Sequence, residues 1–260
     1  MKNKTTLPLS LVILLAACTI LICSVQIEHT ASQHQEHPGA QSIPTVATFS
    51  IVAFDPNTKE LGIAVQSKVP GVGSIVPWAQ ANVGAVATQA YANTRYGPEG
   101  LHLLATGKSV DEVIAELTAA DEKAAARQLG IVDRHGRTAT YTGKECYEWA
   151  GGKTGKYYAV QGNILAGEDV VKAMAAAFEK STGKELGARL LDALDAGQAA
   201  GGDTRGRQSA ALLLVREDWG YGGYNDRYRD LRVEDHVFPI KELRRVYEIH
   251  KAFFPQPQAK

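Results

Sequence analysis

Residues Thr48 to Lys68 read TFSIVAFDPNTKELGIAVQSK. Thr48 to Phe54 is rich in β-branched and aromatic residues, which suit a pleated surface. Asp55-Pro56-Asn57-Thr58 then supplies turn chemistry. Leu61 to Val65 is a second apolar run, ending at the polar triplet Gln66-Ser67-Lys68. The stretch therefore predicts two strands joined by a turn. The first begins with a threonine hydroxyl where the chain leaves a polar segment. A cut before Thr48 would place a hydroxyl and a free α-amine on one residue, a self-contained nucleophile and base.

Upstream of this hairpin the chain changes character twice. Lys2 and Lys4 precede an apolar run from Leu7 to Val25, the pattern of an export signal. Leu15-Ala16-Ala17-Cys18 is similar to a lipoprotein signal box. The alternatives are an uncleaved anchor, since a span needs roughly 20 residues, and simple secretion. All three export the domain and confine any membrane contact to the N-terminal segment, residues 1–25. Residues 26–47 are polar, carry His29, His34 and His37, and read as a solvated tether without metal-ligand spacing. Residues 48–260 are left as one domain.

Composition bounds the function. The chain of 260 residues has 28 basic and 28 acidic side chains. That balance argues against a nucleic-acid partner. Cys18 and Cys23 fall in the leader and Cys146 stands alone in the body, so no disulfide framework is expected. No activating base lies near Cys146 in sequence. There is no Walker motif, HExxH or GxSxG. Gly201-Gly202-Asp203 leads into a strand, which removes a dinucleotide fingerprint. No cofactor and no metal are expected.

Downstream, strands are expected over 74–80, 82–89, 128–133, 137–142, 159–165, 209–216 and 230–233. Helices are expected from Pro98 to near Gly107, from an N-cap at Ser109, over 168–180, over 185–196 and over 240–254. Strands are grouped rather than alternating with helices, which favours an α+β class over a doubly wound sheet. The turn Gly201 to Gln208 concentrates Asp203, Arg205 and Arg207 among glycines. Glycines let backbone approach a ligand and arginines clamp anions; the bland reading is an ion-paired turn. Asp235-His236 reads as a loop tie, and His102 and His135 as surface residues. Trp219 to Tyr228 would wall a groove or make a homo-oligomer contact.

ATFSIVAFDP, ELGIAVQSK, VGAVATQA, RQLGIVD, QGNILAG, AGGDTRGRQSAALLLV and DLRVEDH, in this order, resemble the domain of unknown function 1028 family. The resemblance runs from about Thr48 to about Leu243. That family is assigned to the N-terminal-nucleophile (Ntn) hydrolase-like superfamily. The resemblance implies a four-layer αββα sandwich, as in proteasome subunits, and an amidohydrolase acting on a small-molecule or peptide substrate. Thr48 falls at the nucleophile position and Ser67 and Lys68 in the second strand's polar triplet. The N–H near Thr88 falls at an oxyanion donor, with Gln89 beside it. Gln161-Gly162-Asn163 falls at a turn that brings a polar group, Asn163, towards the nucleophile. Asp203 and Ser209 resemble the Asp and Ser-Gly before the late strand. Arg205 and Arg207 would orient an anionic substrate.

The chain departs from the proteasome pattern at three points. The lysine expected near the third strand is replaced by Ser74, and Lys68 is the nearest lysine. Asp203 and Ser209 are further apart. Thr48 is preceded by 47 residues, so a free terminus requires autocleavage or a protease. Its α-amine, with a pKa of roughly 8, would then act as base. The alternative function is a non-catalytic ligand-binding or scaffold protein on the same fold.

Overall fold

The structure is a computed structural model that describes residues 48–256. The leader and tether expectations lie outside the described residues. Ten strands and five α-helices follow in the order β1 (Thr48–Phe54), β2 (Leu61–Ser67), β3 (Pro77–Gln80), β4 (Gly84–Ala90), α1 (Tyr96–Ala105), α2 (Val110–Ala119), β5 (Arg127–Asp133), β6 (Thr138–Thr142), β7 (Trp149–Gly155), β8 (Tyr158–Leu165), α3 (Glu168–Lys180), α4 (Leu186–Ala199), β9 (Ser209–Val215), β10 (Arg227–Val233) and α5 (Pro239–Phe253).

They build two sheets. One has six strands in the order β10-β9-β2-β1-β8-β7, and the other four in the order β3-β4-β5-β6. All pairings are antiparallel. β1 and β2 sit at the centre of the larger sheet, and every residue in both is buried. Burial on both faces explains their near-continuous apolar runs. Phe49, Ile51 and Ala53 pack with residues of α3, α4 and α5. Val52 and Phe54 point the other way, towards Ala85, Ala87 and Val132 of the smaller sheet. That sheet's outer face packs Val86, Leu129 and Ile131 against α1 and α2.

Local chemistry explains several helix ends. Ser109 caps α2: its Oγ accepts from the Glu112 amide, and the Glu112 carboxylate accepts from the Ser109 amide at 2.8 Å. Pro98 lies in the first turn of α1, where its missing N–H would have no intrahelical acceptor. Hence α1 begins at Tyr96, before the proline rather than at it.

Four expectations are corrected. Residues 74–80 are not one strand: Val72–Ser74 is a 3-10 turn and only Pro77–Gln80 is extended. β7 had no counterpart in the sequence reading, because it is glycine-rich, largely exposed and on the sheet edge. β10 starts three residues earlier than expected, at Arg227, with a register irregularity between Arg227 and Arg229. Gln161-Gly162-Asn163 is not a turn but the interior of β8, paired with Ser50, Phe49 and Thr48 of β1.

Candidate functional site

Strand register creates the site. Thr48 lies between Asn163 of β8 and Ser67 of β2, and Ser67 in turn pairs with Ser209 of β9. Asn163, Thr48, Ser67 and Ser209 thus form one row across four strands. Side chains alternate faces along a strand, and this row points between the sheets. The smaller sheet answers with its own row, Gln89, Gln128 and Thr142, which pair across β4, β5 and β6.

The two rows are joined by hydrogen bonds. Thr48 Oγ1 donates to Ser67 Oγ at 3.1 Å. Gln89 Nε2 donates to the Thr48 carbonyl at 3.3 Å and to Gln128 Oε1 at 2.8 Å. Asn163 Nδ2 donates to the same Gln128 oxygen at 2.9 Å. One turn of the pleat further in, Ser50 Oγ donates to Gln89 Oε1 and accepts from Gln161 Nε2, both at 2.6 Å. Gln128 Nε2 reaches back to the Gly162 carbonyl at 2.8 Å. Thr48, Ser50, Ser67, Gln89, Gln128, Gln161, Asn163 and Ser209 are all fully buried.

Two features mark this centre as more than packing. Asn163 Oδ1 and Gln161 Oε1 are buried with no hydrogen-bond partner, an expensive arrangement for a core. The residues just after Gln89 and Asn163, Ala90 and Ile164, have φ of 64° and 54°. A non-glycine residue in that region is strained by about 1–3 kcal/mol, the more so for the β-branched Ile164. Strain therefore sits at the end of a strand in each sheet, next to the polar row.

No member of the network carries a titratable side chain. Lys68 follows Ser67 but is exposed, and its stem runs beside Gly206, whose added Cβ would lie 3.8 Å from Lys68 Cδ. The loop from Gly201 to Gln208 spans the row's two flanks. The Thr204 amide donates to the Ile164 carbonyl at 3.0 Å, and the Gln208 amide to the Ser67 carbonyl at 2.9 Å. Within this loop Asp203 is buried and accepts from the Arg205 amide, Nε and Nη2 at 2.9, 3.3 and 3.1 Å. Arg207 instead stacks on the Phe238 ring at 4.4 Å. The two guanidinium groups thus contact different parts of the fold, Arg205 the Asp203 carboxylate and Arg207 the Phe238 ring.

Thr88 also needs correction. Its amide donates to the Val76 carbonyl and its Oγ1 to the Asn93 carbonyl, each at 3.1 Å. It faces away from Gln89, and its N–H is already committed. Ser209 belongs to the row, but its hydroxyl donates to the Val69 carbonyl at 2.5 Å and accepts from the Val72 amide at 3.1 Å, fixing the chain after β2. Ser50, Gln128 and Gln161 were absent from the predicted set. The available signal was a polar residue at every second position, Thr48-x-Ser50 and Gln161-x-Asn163, inside apolar strands.

The remaining candidates have structural roles or surface positions. His236 Nδ1 accepts from the Phe238 amide at 2.9 Å, tying down its loop. His102 and His135 are exposed. Burial pushes the Cys146 thiol pKa up, and its Sγ donates to the Arg127 carbonyl at 3.4 Å, which suits an inert thiol. Tyr221 and Tyr224, 78% and 87% exposed, line a groove of about 730 Å³ with Phe253 and Phe254. Among the described residues, no group of three or more His, Cys, Asp or Glu is placed to hold a metal ion, and no helix is long and apolar enough to cross a membrane.

Fold and site together define an α+β protein whose two antiparallel sheets enclose a neutral polar centre at the start of the central strand. The chain belongs to the DUF1028 family, a family of unknown function, whose match covers residues 48–243. It is similar to the crystal structure of a DUF1028 protein from Silicibacter pomeroyi, at 32% identity over 79% of this chain and 89% of that chain, with a TM-score of 0.71. Anbu (ancestral beta-subunit) from Yersinia bercovieri aligns over 82% of this chain and 99% of that chain, at 11% identity and a TM-score of 0.35. A comparison with curated proteins finds no match.

Proposed function

We propose that the protein is an exported Ntn-type amidohydrolase that uses Thr48 on a peptide or other amide once the chain is cut before that residue. The order of hydrophobic clusters, helices against the larger sheet, sheet against sheet, and the smaller sheet against helices, supports a four-layer αββα sandwich. The leader supports export. The observation that carries the chemistry is the row of hydroxyls and amides that the strand register sets around Thr48, with Ser67 Oγ at 3.1 Å from its hydroxyl and Gln89 on its carbonyl. In such a site the new α-amine, on the same residue as the hydroxyl, is positioned to act as its base. Burial among neutral dipoles disfavours its charged form and lowers its pKa from roughly 8.

In the proposed cycle the amine takes the Thr48 hydroxyl proton as Oγ1 attacks the amide carbonyl. The resulting oxyanion is held by an amide donor, for which Asn163 Nδ2, with one N–H beyond its bond to Gln128, is placed beside Thr48 in the row. The amine returns its proton to the leaving amine, and water then hydrolyses the ester on Thr48. Asp203 and Arg205 shape the flanking loop, with the exposed Lys68 and the half-buried Arg207 beside it.

A second reading, a ligand-binding or scaffold protein, is favoured by one observation: in the uncut chain Thr48 is fully buried and its nitrogen is a peptide nitrogen. Intact-mass measurement and N-terminal sequencing of the mature protein separate the two. The hydrolase requires a chain starting at Thr48, with activity lost in Thr48→Ala and retained in part in Thr48→Ser. A mature chain that always keeps residues before Thr48 overturns it.

A further inference from the structure

At the opposite end of β1 lies a cavity of about 570 Å³, lined by the β1–β2 turn, the start of β8 and the loop between α3 and α4. It is about 20 Å from Thr48, since seven strand residues separate them at roughly 3.3 Å each. Its size is within the usual range for small-molecule sites.

Two of the six charged residues on its wall are already in ion pairs. Lys184 pairs with Asp192 at 2.7 Å. Glu185 accepts from the Tyr247 hydroxyl at 2.8 Å and pairs with Lys251 at 3.2 Å. Lys156 is exposed and lies over the Tyr157 ring at 5.1 Å, with no ion pair among the described residues, and three further groups on the wall are not fully engaged. Arg189 lies flat on the Phe178 ring at 3.9 Å and donates to the Phe178 carbonyl at 3.3 Å, yet it has no carboxylate partner among the described residues. Its Nε is buried and unpartnered. Asp55 uses Oδ1 to accept from the Asn57 and Thr58 amides at 2.8 and 3.4 Å, leaving Oδ2 without a protein donor. Glu179 accepts from the Tyr158 hydroxyl at Oε1 and leaves Oε2 without one.

A guanidinium half-removed from water and lacking a counter-ion is costly. Burial pushes the Arg189 pKa down, and the Asp55 carboxylate acts against that without bonding to it. The first turn of α4, which carries Arg189, adds its positive dipole end at the same wall. One wall thus seeks an anion, while the carboxylates of Asp55 and Glu179 on the same cavity seek a cation.

We propose that this cavity binds a small zwitterion, between a free amino acid and a dipeptide in size, with its carboxylate on Arg189 and its ammonium on Asp55 and Glu179. The site is separate from the Thr48 network and does not depend on the hydrolase reading. A planar guanidinium recognises a carboxylate through two parallel hydrogen bonds, and the ring wall of Tyr157 and Tyr158 accommodates a modest apolar side chain.

The test is isothermal titration of the full chain with L-alanine and L-alanyl-L-alanine, beside acetate and ethylammonium as single-charge halves. The expected result is saturable one-to-one binding of at least one zwitterion, with each half about 100-fold weaker or more. Arg189→Met and Glu179→Gln should each weaken binding about tenfold or more. Glu179 is exposed, and glutamine there keeps an acceptor for Tyr158, so Glu179→Gln reports on binding if Arg189→Met unfolds. Thr48→Ala should bind as the parent does. The inference is overturned if neither zwitterion saturates, if acetate binds as tightly, if Glu179→Gln binds normally, or if Thr48→Ala removes binding.

Discussion

The two ends of the β1–β2 hairpin both bury polar groups, but of different kinds. In the Thr48 row and the glutamines that face it every side chain is a hydroxyl or an amide, and the buried carboxylate of the flanking loop, Asp203, is paired with Arg205. At the turn end Glu60 and Arg229 are each only 1% exposed. Arg229 contacts His250 Nδ1 and the Tyr228 hydroxyl, both at 2.5 Å, and stacks on the Tyr228 ring at 4.2 Å. Glu60 Oε2 accepts from Thr58 at 2.9 Å and Gln256 at 3.2 Å, while Glu60 Oε1 and Arg229 Nε have no partner. Both ends therefore leave polar atoms unsatisfied, but at the turn end the unsatisfied atoms belong to charged side chains. The neutral end is suited to receive a charge made elsewhere, such as a new terminus. The charged end couples stability to protonation.

Making the neutral end titrate should have the largest effect. Asn163→Asp preserves shape, and the new carboxyl group, while protonated, still donates to Gln128. Ionised, it would be a buried carboxylate facing an acceptor, with its pKa raised by burial. In the uncut chain, stability should be near that of the parent below about pH 4. It should then fall as pH rises through the raised folded pKa, by about 4 kcal/mol at pH 8. Urea melts across pH measure this. A flat difference between variant and parent would mean the network already holds a compensating donor.

Silencing the charged end should act in the opposite direction. Burial, with Thr58 and Arg229 acting against it, raises the Glu60 pKa from 4.5 to about 7. The folded protein then binds a proton more tightly than the unfolded one. Stability is greatest below pH 4.5 and falls as pH rises towards 7. Glu60→Gln should remove that slope and gain on the order of 3 kcal/mol at pH 8, with no gain near pH 4. An unchanged slope between those pH values would assign it to another group.

Sequence and structure agree where burial leaves a periodic trace. The β1–β2 hairpin is legible because both its faces are buried, and α2 because its cap chemistry is local to Ser109 and Glu112. β7 is not legible, since an exposed edge strand of glycines and lysine carries no apolar alternation. At the site, Thr48, Ser67, Asn163 and Ser209 were reachable through family resemblance, yet their alignment in one row is a fact of register, which depends on pairing across more than 100 residues. Thr88 shows how sensitive that is. It is one residue from Gln89, and in a strand one residue reverses the face. Arg205 and Arg207 share a strand-like spacing but part in the loop, because Asp203 holds one and Phe238 the other.

Gly130 offers a smaller and sharper test of whether the neutral end is a packed unit. It lies on β5, opposite Ala87 and Thr140. A Cβ added there would stand 2.0 Å from Gln161 Oε1, so the glycine exists to admit the glutamine. Gln161 cannot simply swing aside, because its Nε2 is bonded to Ser50 Oγ at 2.6 Å and its side chain is fully buried. Gly130→Ala should therefore destabilise by about 1–3 kcal/mol through overpacking. Gln161→Ala should also destabilise, by emptying the same space and stripping a donor from Ser50. Combined, the added methyl occupies part of the vacated volume, so the double variant should be more stable than the sum of the singles by about 1 kcal/mol or more. Strict additivity would show that the two sheets move independently here, and that the network is a set of separate pairs rather than one cooperative centre.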